Sequence, residues 1–102
     1  MSVYLSPKLV QIQDGLLMHW CPGCEARHII RIKRAKASEM IWQFNGNFDK
    51  PTFIPSISLT TAGCHYFITD GNIVYCPDSK HKYAGKVVPL PDFPKFRVQC
   101  PL

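Results

Sequence analysis

No run of apolar residues in this sequence approaches the ~20 that a membrane-spanning helix requires, so no membrane partner is expected. The start, Met1-Ser2-Val3-Tyr4-Leu5-Ser6-Pro7, lacks a basic segment followed by an apolar one. It does not read as a signal peptide, and a cytoplasmic protein is the expectation. Long helices are also missing from the pattern, because nine prolines and six glycines interrupt any helical period. Acidic residues are sparse, 7 against 12 Lys and Arg. The resulting net charge of +5 leans mildly toward anionic partners, but is also an ordinary solubility charge. Cysteine is present in an odd number, five, which does not complete a disulfide framework. A reducing cytoplasm would not keep one. The zinc-protease signature H-E-x-x-H is absent, as is the deaminase pairing of H-x-E with P-C-x-x-C. No internal repeat or low-complexity segment stands out.

With 102 residues, a single domain spanning 1–102 is expected, with its core over about 8–93 and a Pro-rich tail over 91–102. A chain of this size buries roughly 65% of its unfolded surface, a modest core that a metal staple would reinforce. The hydrophobic fraction of 46% and charged fraction of 19% are those of a globular domain rather than a disordered one.

What is present is concentrated in His19-Trp20-Cys21-Pro22-Gly23-Cys24-Glu25-Ala26-Arg27-His28. Two thiols three positions apart, separated by Pro and Gly, let one tight turn aim both sulfurs at a point, as a four-coordinate Zn²⁺ with ~2.3 Å Zn–S bonds needs. A redox dithiol with this spacing favours the start of a helix. Here a strand pattern follows, with His28, Ile30 and Ile32 on one face and Arg27, Ile29, Arg31 and Lys33 on the other. The thiols therefore sit at the tip of a hairpin, as in a zinc knuckle, although Glu25 stands where many knuckles carry Gly.

The remaining pattern reads as short strands. Lys8 to Gln13 and Leu16 to Trp20 flank an Asp14-Gly15 turn. Ala35 to Met40 is one helical turn or a loop. Ile41 to Phe44 is a strand, Phe48 to Pro55 an irregular loop packed by its aromatics, and Ile57 to Thr61 a strand. Two β-rich runs flank Asp70-Gly71, a strong two-residue hairpin signal. That register sets Thr69 against Asn72, Phe67 against Val74 and His65 against Cys76. Cys64 then shares the opposite face with Tyr66 and Ile68. Lys86 to Leu90 is a last strand, with a loosely attached tail after it. The fold expected is mainly β, one small zinc-stapled domain of antiparallel hairpins forming a sheet or a partly open barrel. Trp20 and Trp42 read as core.

Cys21 and Cys24 supply two ligands. The others come from Cys64, His65, Cys76, His81 and His28. His65 with Cys76 is one set, and Cys64 with His81 is another. They use opposite faces of one hairpin and so exclude each other. His28 alternates with isoleucines like a core-edge histidine, His19 can support a ligand from behind, and Cys100 in the tail is not expected to bind.

The combination Cys21-Pro22-Gly23-Cys24, His28, Trp42, Asn45-Gly46, Pro51-Thr52-Phe53-Ile54-Pro55-Ser56, Cys64-His65, Asp70-Gly71, Asp78, His81, Gly85, Val87 and Leu90-Pro91 resembles a small family common in bacteriophages and prophages, whose members are sometimes labelled ammonia monooxygenase. The resemblance covers about residues 16 to 93. It implies no activity, and it implies residence in the host cytoplasm for a phage-encoded chain. It does bear on the ligands. Cys-His at 64–65 and His at 81 recur in the family, the position of Cys76 is usually apolar, and a Cys often stands at Ser79. The ligand set expected is therefore Cys21, Cys24 and Cys64, with His81 ahead of His65 for the fourth place, around one zinc per chain.

Three functions compete. The first is a binding protein with a closed structural zinc, acting on a host or phage macromolecule. The second is a metal-dependent hydrolase with an open coordination position, in which Asp78, His65 or His28 serves as base. The third is a nucleic-acid-binding module using Arg27, Arg31, Lys33, Arg34, Lys36, Lys80, Lys82 and Lys86, with Tyr83 and Phe96 to stack on bases. The first is preferred, which makes the partner a protein or a nucleic acid and leaves the chain leaning away from catalysis.

Overall fold

The computed structural model of the chain describes residues 2–94. Among them are nine strands in two antiparallel sheets, with no helix and no closed barrel. The first sheet runs β1 (Val3–Tyr4), β2 (Val10–Gln13), β3 (Leu16–Cys21), β4 (Ala26–Arg31), in that spatial order. The second runs β5 (Gln43–Phe44), β6 (Phe53–Leu59), β7 (Cys64–Thr69), β8 (Asn72–Tyr75), β9 (Val87–Pro89). Every neighbouring pair is antiparallel, as expected of a chain built from hairpins.

The turn chemistry explains why the hairpins close where they do. Asp70 and Gly71 both take positive φ, 49° and 80°, which a two-residue hairpin loop requires. The register read from the sequence is the one observed: Thr69 faces Asn72 and Phe67 faces Val74. The same alternation sorts side chains by face. Cys64, Tyr66 and Ile68 point into the core, while Phe67 and Thr69 are exposed. Residues of both sheets share that core, with Leu17, Cys21 and Ile30 from the first meeting Phe53, Ile57, Tyr66 and Tyr75 from the second.

Several local expectations are corrected. Of the two readings of residues 35–40, the loop is the one observed: the Glu39 carboxylate accepts the main-chain N–H groups of Ala35 and Lys36 and folds the segment back. The strand expected from Ile57 begins at Phe53, because the Phe53 ring stacks on Phe44 at 4.8 Å and ties this end to β5. Pro55 lies inside the strand, where the β6–β7 register shifts between Phe53 and Ile57, a position at which a missing N–H breaks no ladder bond. Trp20 and Trp42 are half-buried rather than central. The start of the tail is packed, not loose: Phe93 is buried and its N–H donates to the Pro7 carbonyl at 2.7 Å. Phe96 and Cys100 lie outside the described residues.

Two adjoining candidate sites, a metal centre and a hydroxyl–imidazole–carboxylate relay

The hairpin between β3 and β4 closes over residues 22–25, with Cys21 opposite Ala26. Glu25 takes the left-handed conformation, φ 52°, that a knuckle turn usually gives to glycine. The Cys24 N–H then points at Cys21 Sγ, 3.4 Å away. Gly23 is required for a different reason, since any Cβ there would strike the imidazole of His81. From the second sheet, the start of β7 brings Cys64 and the following loop brings His81. Cys64 Sγ lies 3.9 Å from Cys21 Sγ and 3.3 Å from His81 Nε2. Ligand atoms of Cys21, Cys24, Cys64 and His81 all lie within 4.8 Å of one another.

These separations match the edges of a tetrahedron of ~2.3 Å Zn–S and ~2.0 Å Zn–N bonds, and three thiols with one imidazole form a donor set suited to zinc. Electrostatics points the same way. Burial first, then the neighbouring sulfurs, raises the Cys24 and Cys64 thiols above the ordinary range. Three thiolates cannot sit this close without a cation between them, so metal binding here displaces protons. His81 Nδ1 accepts from the Tyr83 N–H at 3.2 Å. A metal at Nε2 would place the imidazole proton on Nδ1 and turn that long contact off. The Tyr75 hydroxyl closes the rear of the cluster, 3.1 Å from Cys21 Sγ.

His65 does not join this cluster. It is adjacent to Cys64 in a strand, so its side chain leaves by the opposite face. On that face its Nε2 lies 3.1 Å from Ser56 Oγ, and its Nδ1 lies 3.1 and 3.2 Å from the two carboxylate oxygens of Asp78. The sheet produces this contact directly. Ser58 stands opposite His65 in the β6–β7 register. Ser56 is two residues away on the same face, a diagonal neighbour within reach of a ring. The loop after β8 sets Asp78. In it, Ser79 Oγ donates to the His65 carbonyl at 2.8 Å and accepts the His65 N–H at 3.0 Å, fixing the histidine's backbone. Cys76, Asp78 and His65 also lie within 4.8 Å, but both His65 nitrogens already have partners. Asp78 itself is largely exposed, with 70% of its side-chain surface accessible.

The two sites are joined covalently. Cys64 and His65 are consecutive, and Asp78 and His81 share one loop, so anything that anchors Cys64 and His81 also positions His65 and Asp78. Cys21, Cys24, Cys64 and His81 are thus brought together and His65 and Cys76 are held apart from them. The sequence pattern does not single out Ser56 or Ser79 as partners of His65. Ser56 carries no nucleophile signature, and only the register of two strands joins it to His65.

The remaining histidines form a buried group of their own. His19 and His28 face each other across β3 and β4, and both reach the Tyr66 hydroxyl, at 2.7 and 2.9 Å. Burial, then the neighbouring His28, lowers His19 to about 3; burial, then His81, lowers His28 to about 4. Both stay neutral in the folded chain but titrate near 6.5 when unfolded. Below that pH the unfolded chain binds more protons, so stability falls as pH drops from about 6.5 toward 4. Melting temperatures recorded from pH 8 to 4.5 are expected to hold level down to about 6.5 and then decline. A level profile down to 4.5 would contradict this account of the pair.

The proposed basic face is partly neutralised. Arg31 lies 3.5 Å from Glu39 and Lys33 lies 3.1 Å from Asp14. Among the described residues, no helix is long and apolar enough to cross a membrane. A profile of the family described as bacterial ubiquitination-like system serine protease (BubE) matches residues 2–76. No curated protein and no solved structure matches significantly.

Proposed function

The chain belongs to the bacterial ubiquitination-like system serine protease (BubE) family, and from that premise we propose that it is a serine protease with Ser56 as nucleophile, His65 as general base and Asp78 as the group that orients it. The observation that carries this reading is the hydrogen-bonded row from Ser56 Oγ through both nitrogens of His65 to Asp78. Such a constellation is recognised by geometry and roles, not by order along the chain. With Nδ1–H donated to Asp78, the Nε2 lone pair faces Ser56. Ser56 Oγ attacks the carbonyl carbon of a peptide bond while its proton passes to His65 Nε2. The imidazolium returns that proton to the leaving amine, whose C–N bond breaks to leave an acyl ester on Ser56. Water then attacks the ester, again giving its proton to His65, and the acid product leaves with Ser56 restored.

The metal has a structural part in this reading. Four protein ligands make a closed site, and zinc suits their softness. It would hold Cys64 and His81, and through them the backbone that carries His65 and Asp78. A protein substrate fits the family's description. The expected test result is time-dependent inactivation by an organosulfonyl fluoride, with no immediate effect of a brief exposure to a chelator. The reverse pattern, instant loss to the chelator and indifference to the sulfonyl fluoride, would favour a metal-bound water as nucleophile.

A further inference from the structure

Two strand edges are open beside this site. His65 directs its N–H to Ser79 and its C=O to the Cys76 N–H, both away from β6. Its register partner Ser58 must then direct its own main-chain groups away from β7, because opposed residues in an antiparallel pair alternate between facing each other and facing outward. β5 does not cover that edge, since it pairs only with Phe53 and Ile54. Across from it runs the outer edge of β4. The Arg31 carbonyl is used on that edge by the Trp42 N–H at 2.8 Å, so alternate residues Arg27 and Ile29 direct their main-chain groups the same way. Trp42 bridges the two strands at the Ser56 end, its indole N–H donating to the Ser56 carbonyl at 3.3 Å.

Between these edges lies a groove of about 780 Å³, walled by Ala26, Arg27 and His28 on one side and Ser58, Leu59 and Thr60 on the other. A smaller recess of about 250 Å³ shares Ser58, Leu59, Thr60 and Lys80 with it and includes His65 and Asp78. The larger groove carries Arg27 and Lys80 and no acidic residue.

We propose that this groove is the substrate channel of the protease and takes an extended, acidic polypeptide segment, which adds as a strand to the Ser58 edge of β6, two residues from Ser56. This rests on the serine-protease reading above. Main-chain bonds to the edge would supply register without regard to sequence, and the cationic walls would supply the preference for acidic side chains.

The test uses the full zinc-loaded chain and two internally quenched peptide libraries of equal length, one fixed with Glu and one with Lys. A small neutral ester serves as a control that needs the triad but not the groove. The Glu library is expected to be cleaved at least about tenfold faster in kcat/KM. The Arg27→Glu, Lys80→Glu chain is expected to reverse that preference, mainly through KM. In the native chain, N-methylation of single amides in a cleaved Glu peptide is expected to block cleavage at alternate positions only. Ester hydrolysis with equal cleavage of both libraries, cleavage of neither, or a preference indifferent to the two substitutions would overturn the channel. Loss of ester hydrolysis in the native chain would instead overturn the triad.

Discussion

Replacing Ser56 by Ala is expected to reduce hydrolysis by at least about 10⁴-fold while leaving the fold and the bound metal intact, because a serine protease without its nucleophile keeps only the acceleration of its remaining groups. The Oγ is half-buried at the surface of β6, and its removal opens no cavity in the core. His65→Ala should cost a similar factor, and the double variant little more than either alone, since residues that act as a unit are not additive. Asp78→Asn is expected to lose less than the ~10⁴-fold seen for a buried aspartate of this kind, because Asp78 is mostly exposed and water can partly replace it. The measurement is kcat/KM on a peptide or ester substrate, with circular dichroism and zinc content recorded on the same samples. Full activity in a folded Ser56→Ala chain would remove Ser56 from the mechanism.

The second large effect is on stability. Removing the metal, or one ligand by Cys64→Ser, is expected to unfold the chain or lower its melting temperature by tens of degrees. Structural zinc binds with about 10–16 kcal/mol in comparable small sites, as much as the whole stability of an ordinary domain, about 5–15 kcal/mol. The four donors come from the β3–β4 hairpin, the start of β7 and the loop after β8, so the ion would staple one sheet to the other. Activity should disappear with the metal and return on refolding with zinc. Thermal melts with and without chelator test this directly. An unchanged melting temperature after proven metal loss would contradict the structural assignment.

Much of this arrangement was legible in local chemistry. Asp70-Gly71 announced its hairpin, and the Cys21–Cys24 spacing with Pro and Gly between announced a turn that aims two sulfurs together. The register of β7 and β8 also placed Cys64 and His65 on opposite faces, which separates the metal cluster from the relay. What could not be read was any contact between β6 and its neighbours. The Phe48–Pro55 stretch looks irregular because two prolines interrupt it, yet Phe53 stacking on Phe44 draws its end into the sheet. Without that strand, Ser56 has no register and is one serine among six. Sequence alone therefore offers Asp78, His65 or His28 only as the base for a metal-bound water. The family resemblance, drawn from motifs between about 16 and 93, carried no activity with it, and its Ser79 position drew notice as a missing ligand. In the structure Ser79 serves the backbone of His65 instead.

The most direct measurement is to treat the zinc-loaded chain with an organosulfonyl fluoride and map the modified residue by mass spectrometry. The account predicts a single adduct on Ser56, formed in step with loss of hydrolysis and abolished by His65→Ala. An active chain whose adduct lies on another residue, or that takes no adduct at all, would contradict it.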